Sequence, residues 1–143
     1  MPKLAQLLAK RSPVVNTFGP ERPVQDAVRL MAERQVGAVL LVEANRLVGI
    51  FSERDLVRRV VARSLPLDRT QLRTVMTPDP ITATPDDARM SAIEKMRAAG
   101  CRHLPILQEG RVVDMLSIRD LLFAEIAERE GEIEDLKRYI QGQ

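Results

Sequence analysis

Apolar residues along the chain fall into short blocks that switch between two periodicities. Residues 14–18 (VVNTF) and 80–83 (PITA) are brief runs rich in β-branched side chains beside a proline, which predicts strands. Each is followed by a segment whose apolar positions return at three and four residues. In PVQDAVRLMAERQ these are Ala27, Leu30 and Met31; in ARMSAIEKMRAAG they include Ile93 and Met96. That spacing predicts helices, the second closed by Gly100. Two apolar runs then flank a turn, VGAVLLVE and RLVGIF around Ala44-Asn45. The same occurs with CRHLPILQ and RVVDML around Glu109-Gly110, so each predicts a hairpin. LLVE and VGIF are apolar almost throughout, as suits strands covered on both faces. A final helix opens at Ser52 and another at Ser117.

The two halves of this pattern are one pattern. Sliding the chain by 65 residues puts Thr17 on Thr82, Pro20 on Pro85, Ala27 on Ala92 and Met31 on Met96. GIFSERDL at 49–56 falls on DMLSIRDL at 114–121. Ten of 43 aligned positions are identical without a gap, and others exchange like for like, as Val28 for Ile93 and Leu41 for Ile106. The sequence therefore predicts an α/β protein of two β-α-β-β-α units related by pseudo-two-fold symmetry. The first unit spans 12–62, a turn-rich linker 63–78 and the second unit 79–128. A C-terminal helix over 129–143 and a short N-terminal helix are extra to the repeat.

Composition narrows the function classes. The net charge is +2, too little to argue for nucleic acid, and the arginines at 54, 58, 59 and 63 have no aromatic residues between them. One cysteine, Cys101, and one histidine, His103, exclude an intrachain disulfide and a Cys/His zinc site. The repeat places Cys101 on Val36 and His103 on Ala38, ordinary strand positions, which favours a structural or ligand-lining role. Asp86 and Asp87 read as the solvated first turn of a helix, not a metal pair. The motifs for phosphate loops, dinucleotide folds and zinc proteases are absent, so no catalytic residue is assigned. LAQLL near the start is too short for a signal peptide, and no stretch reaches bilayer length, so a cytoplasmic location is expected.

The duplicated Ser-x-Arg-Asp carries the chemistry. Its plainest reading is a helix N-cap, with the serine hydroxyl accepting from the third backbone N–H and the acid favouring the first turn. Capping has no use for Arg54 and Arg119, which sit at the positive end of a helix. A helix N-terminus bearing Ser, Arg and Asp suits a nucleotide: free N–H groups and arginine attract phosphate, and a carboxylate accepts a ribose diol.

These features, together with VMTPDPITATP, GAVLLVE and RHLPIL, resemble a tandem pair of CBS (cystathionine-β-synthase) domains, a Bateman module of the small bacterial kind without a catalytic domain. The resemblance covers about residues 12–125. It implies adenosine nucleotides bound in clefts between the units: AMP first, with ADP, ATP, NAD or S-adenosylmethionine as further ligands. Asp55 and Asp120 would hold ribose, Ser52 and Ser117 would sit beside ribose or phosphate, and Arg54 and Arg119 near phosphate. Thr17, Phe18, Gly37, Ala38 and Phe51 would line one adenine slot, edged by Met76 and Thr77. Thr82, Ala83, Thr84, Arg102, His103, Leu104 and Pro105 would line the other. The family pattern opens with glycine, as at Gly49. The second copy has Asp114, whose charge is expected to weaken or alter the second site. The implied function is a non-catalytic sensor or regulator, dimerising with a second copy through helices such as the stripe Ile133, Leu136 and Ile140, and acting on an unidentified target protein. A ligand-free interaction module is the alternative, with nucleic-acid binding ranked below it.

Overall fold

Each hairpin forms where two apolar runs flanking a turn predicted it, and each sheet is covered by its own helices. The computed structural model describes residues 1–142. In chain order the elements are α1 (Leu4–Leu8), β1 (Thr17–Phe18), α2 (Val24–Arg34), β2 (Ala38–Glu43), β3 (Arg46–Ser52) and α3 (Glu53–Asp55), which widens at once into a π-helical stretch, Leu56–Val61. Then come α4 (Leu72–Val75), β4 (Thr77–Pro78), α5 (Arg89–Ala99), β5 (His103–Gln108), β6 (Arg111–Ser117) and α6 (Ile118–Ile140). The first sheet has the order β1-β2-β3-β4, with β1 parallel to β2 and the other pairs antiparallel. The second sheet is the β5-β6 hairpin.

The repeat holds down to local backbone detail. Register shifts fall between Leu41 and Val42 in one hairpin and between Ile106 and Leu107 in the other. Both turns place two consecutive residues at positive φ, Ala44 and Asn45 in the first and Glu109 and Gly110 in the second. That is the backbone twist a two-residue hairpin needs.

Three expectations change. The strand expected over 80–83 shrinks to a single parallel bridge between Ala83 and Ile106. In the first unit the Leu40 N–H donates to the Asn16 carbonyl at 2.9 Å and anchors β1. Pro105 occupies the equivalent place and has no N–H to donate. The linker, read as turns, contains α4 and β4, and β4 pairs with β3 at Gly49 and Ile50. The last helix of the second unit and the C-terminal helix are one continuous α6.

Strand alternation divides the core in three. Val39, Leu41 and Phe51 face α2, joining Val24, Ala27, Met31 and Leu72. Leu104, Ile106 and Leu116 face α5 and α6, joining Ala92, Met96 and Leu121. The opposite strand faces meet each other: Ala38, Leu40 and Ile50 of the first unit pack on Met115 of the second. The strands are therefore buried on both faces, as their apolar runs require.

Leu4 of α1 is fully buried in the second unit's core, not the first's. Its N–H donates to the Asp87 carbonyl and that of Ala5 to Pro85, both at 2.9 Å. In the first unit, Leu72 and Arg73 of α4 donate to Arg22 and Pro20 in the same manner. Thus α1 does for the second unit what α4 does for the first. Arg89 is buried at the start of α5 and ion-pairs with Glu125 at 3.0 Å and with Glu128, tying α5 to α6.

Candidate functional site

Both Ser-x-Arg-Asp motifs stand where an inner strand runs into a helix. The Ser52 N–H donates to Asp55 Oδ2 at 2.9 Å and the Asp55 N–H to Ser52 Oγ at 3.3 Å. The Ser117 and Asp120 pair repeats this at 2.8 and 3.1 Å. Capping is thus real in both copies, and neither arginine takes part in it. The two helix starts face one cleft of about 1050 Å³ between the units.

Of the predicted residues, Gly37, Ser52, Arg54, Asp55 and Thr77 line that cleft from the first unit, and Arg102, His103, Ser117, Arg119 and Asp120 line it from the second. The others do not. Phe51 and Leu104 are fully buried in the unit cores, because their strand positions face the helices. Ala38 is buried between the units and Ala83 in the second core, while Pro105 is also buried. Met76 is taken up by packing against Gly49. Phe18 lies under the Arg22 guanidinium, and Thr17, Thr82 and Thr84 lie outside the cleft lining, Thr17 and Thr84 being exposed.

Arg54 reaches across the cleft, donating from Nη1 to the Gly100 carbonyl at 2.7 Å. It therefore ties the units together. Arg119 lies over the Phe123 ring, 5.9 Å from its centroid. Gly37 permits the close approach of the units: a Cβ there would lie 3.1 Å from His103 Nε2 and 2.7 Å from Glu53 Oε1. Burial pushes the His103 imidazole below its ordinary pKa, although Glu53 and Asp120 pull the other way. Burial likewise raises the Cys101 thiol. Among the described residues no cluster of side chains suits a metal ion.

Two arginines that the sequence did not assign to the cleft complete the site. Arg59, one turn beyond Asp55, approaches Asp55 Oδ1 at 3.6 Å and donates to the Met76 carbonyl at 2.6 Å. Thr77 Oγ1 donates to the same Asp55 oxygen at 3.1 Å. The second is Arg11. Its Nη1 lies 3.0 Å from Asp120 Oδ2, and its Nη2 donates to Asp114 Oδ1 at 3.1 Å. Its Nε is 3.1 Å from Asp114 Oδ2, at an angle that makes this an ion pair and not a hydrogen bond. Burial alone would raise the Asp120 carboxyl. The Ser117 N–H, Arg11 and the Ser117 hydroxyl together bring it below the usual carboxylate range. The i,i+4 spacing from Asp55 was a visible signal for Arg59. For Arg11 the signal was the repeat carried a few residues further back, which sets Arg11 on Met76.

Asp114 requires a correction. It is buried and absent from the cleft lining, and it also accepts from the Val14 and Met115 N–H groups at 2.9 and 2.7 Å. Its charge is spent on Arg11 and the N-terminal segment, so it does not face an incoming anion.

The sequence matches the CBS domain family over residues 6–62 and 72–127. The chain belongs to the CBS domain family. It is 37% identical over 110 residues to the CBS domain-containing protein CBSCBSPB5 of Arabidopsis thaliana, covering 76% of this chain. It spans only about a fifth of the length of that relative. Among solved structures, a protein with CBS domains from Burkholderia ambifaria superposes with a TM-score of 0.83 at 31% identity, covering 87% of this chain and 94% of that one. A CBS domain protein from Pyrobaculum aerophilum, solved in complex with AMP, gives 0.73 at 30% identity, covering 82% and 88%. The pseudo-two-fold pair of α/β units is therefore a CBS pair. None of its helices, among the described residues, is long and apolar enough to cross a membrane.

Proposed function

We propose that this CBS pair is a non-catalytic sensor that binds an adenosine nucleotide in the cleft between its units, AMP ahead of ADP, ATP or NAD. The observation that carries the reading is the convergence of two helix N-termini, each bearing Ser, Arg and Asp, on one cleft. A helix start with free N–H groups and arginines attracts phosphate, and a carboxylate fixed by its own capping serine is oriented for a ribose diol. The AMP complex of the Pyrobaculum relative supports the choice of ligand. Arg54 supplies the mechanism. It now bridges to Gly100, so a phosphate that recruits its guanidinium changes how the units are tied, and the pair of states is biased by the ligand.

The assembly we propose is a homodimer. Val57 and Val61 are exposed on the first unit's last helix, and their repeat equivalents Leu122 and Ile126 are exposed on α6 beside Phe123. Two exposed apolar faces related by the repeat suit a second copy.

Thermal melting tests the ligand reading. AMP at a hundredfold excess over its Kd should stabilise by about 2.7 kcal/mol. GMP should do far less. The capping boxes favour a second reading, in which Ser-x-Arg-Asp only caps and the cleft is empty of function; equal, negligible shifts with AMP and GMP at millimolar concentration would establish it.

A further inference from the structure

The internal repeat sets Arg11 on Met76 and Asp114 on Gly49. In the first unit Gly49 and Met76 pack so closely that a Cβ at 49 would lie 2.3 Å from Met76 Sδ. In the second unit the same two places hold an ion pair. The Asp114 side chain is only 3% exposed, so its charge depends on Arg11. From that anchor Arg11 extends to Asp120 Oδ2, an oxygen already accepting from the Ser117 N–H. The segment that carries Arg11 is itself pinned, by buried Leu4 on one side and by the Val14 N–H on Asp114 on the other.

The cation at Asp55 is held more loosely. This cation, Arg59, sits 3.6 Å away with 39% of its side chain exposed, and the other contact of Asp55 beyond the cap is the neutral Thr77 hydroxyl. A ribose diol at Asp55 displaces a hydroxyl and one distant contact of a guanidinium that keeps its bond to the Met76 carbonyl. The same diol at Asp120 must compete for the carboxylate with a guanidinium that cannot swing away, because its Nη2 and Nε are held by the buried Asp114.

We propose that Arg11 is a specificity-determining residue that reserves Asp120, so that the cleft admits one adenosine nucleotide per chain, with its ribose at Asp55. This deepens the nucleotide-binding reading and rests on it. Calorimetric titration of AMP into the full chain is the test, and one AMP per chain is expected. Replacing Arg11→Met together with Asp114→Gly rewires the second unit as the first. The backbone can follow, since the Asp79 N–H already pairs with the Val48 carbonyl at the equivalent place. The rewired chain should take two AMP. Should that chain fail to fold, Arg11→Lys decides. Lysine keeps a cation for Asp114 but lacks the fork that spans both carboxylates, so a second binding event should appear there too. Two AMP per chain in the unaltered protein overturns the proposal, as does a folded variant that still takes one. No AMP binding in any of the three chains is a different result: it overturns the nucleotide reading, and this inference with it.

Discussion

Gly49→Ala tests the packing that shapes the first half of the cleft. Gly49 pairs with Pro78 across β3 and β4, and the linker crosses directly over it. A Cβ built there would lie 2.3 Å from Met76 Sδ, 3.0 Å from Met76 Cγ and 3.1 Å from the Thr77 carbonyl. Met76 could swing away only by leaving a buried place among Val39, Phe51 and Leu72, and the carbonyl could move only with β4. Overpacking of this kind costs about 1–3 kcal/mol. For a chain of this size that is a melting-temperature loss of roughly 3–9 °C. Met76→Ala alone should cost about 2–4 kcal/mol through the cavity it leaves. In the double variant the alanine Cβ occupies part of that cavity, so the combined loss should fall short of the sum by about 0.5–3 kcal/mol. Chemical denaturation of the four chains gives each value. A Gly49→Ala protein that melts within a degree of the parent, or a double variant that is strictly additive, would refute the argument.

Other outcomes follow from the same contacts. Arg89→Leu should destabilise by about 2–4 kcal/mol in urea, because it leaves Glu125 and Glu128 facing an apolar side chain. Replacing Glu125 and Glu128 with glutamine in that background should recover part of the loss. His103 has a native pKa below its unfolded value, so the unfolded chain takes up its proton first. Stability should therefore decline as pH falls below about 6.5, by at most about 1.4 kcal/mol per unit. Denaturation of His103→Gln across pH 5–7 should show a shallower slope than the parent, and equal slopes would contradict the burial argument. Light scattering should give twice the 16.1 kDa chain mass, and Phe123→Asp should shift the protein toward monomer.

What could be read in advance was whatever the repeat states twice. The hairpins, their positive-φ turns and the capped helix starts at Ser52 and Ser117 each have a local signature, and each formed. The missed elements are set by tertiary contact. Nothing local in TPDP marks β4; it is a strand because Gly49 lets the linker lie against β3. Nothing in LAQLL says that it belongs to the second core, since the partner positions Asp87 and Pro85 are about eighty residues away in the chain. The shrunken strand near Ala83 was legible in Pro105, had its missing N–H been set against Leu40. Among the site residues, those at helix starts were placed in the cleft, whereas adenine-slot positions such as Phe51 and Leu104 alternate into the cores. Asp114 looked like an intruding charge because its partner, Arg11, lies 103 residues earlier.

In the function proposed above, the cleft is a receptor for adenosine nucleotides gripped through Asp55. Isothermal titration of AMP into the parent chain and into Asp55→Asn tests it most directly. Asparagine keeps the size and the helix-start preference of aspartate but removes the charged acceptor. Saturable binding to the parent is expected, weakened in the variant by about 1.5–3 kcal/mol, roughly ten- to a hundredfold, as for a lost hydrogen bond to a charged group. Equal affinity in both chains, or no heat of binding to the parent at millimolar AMP, would contradict it.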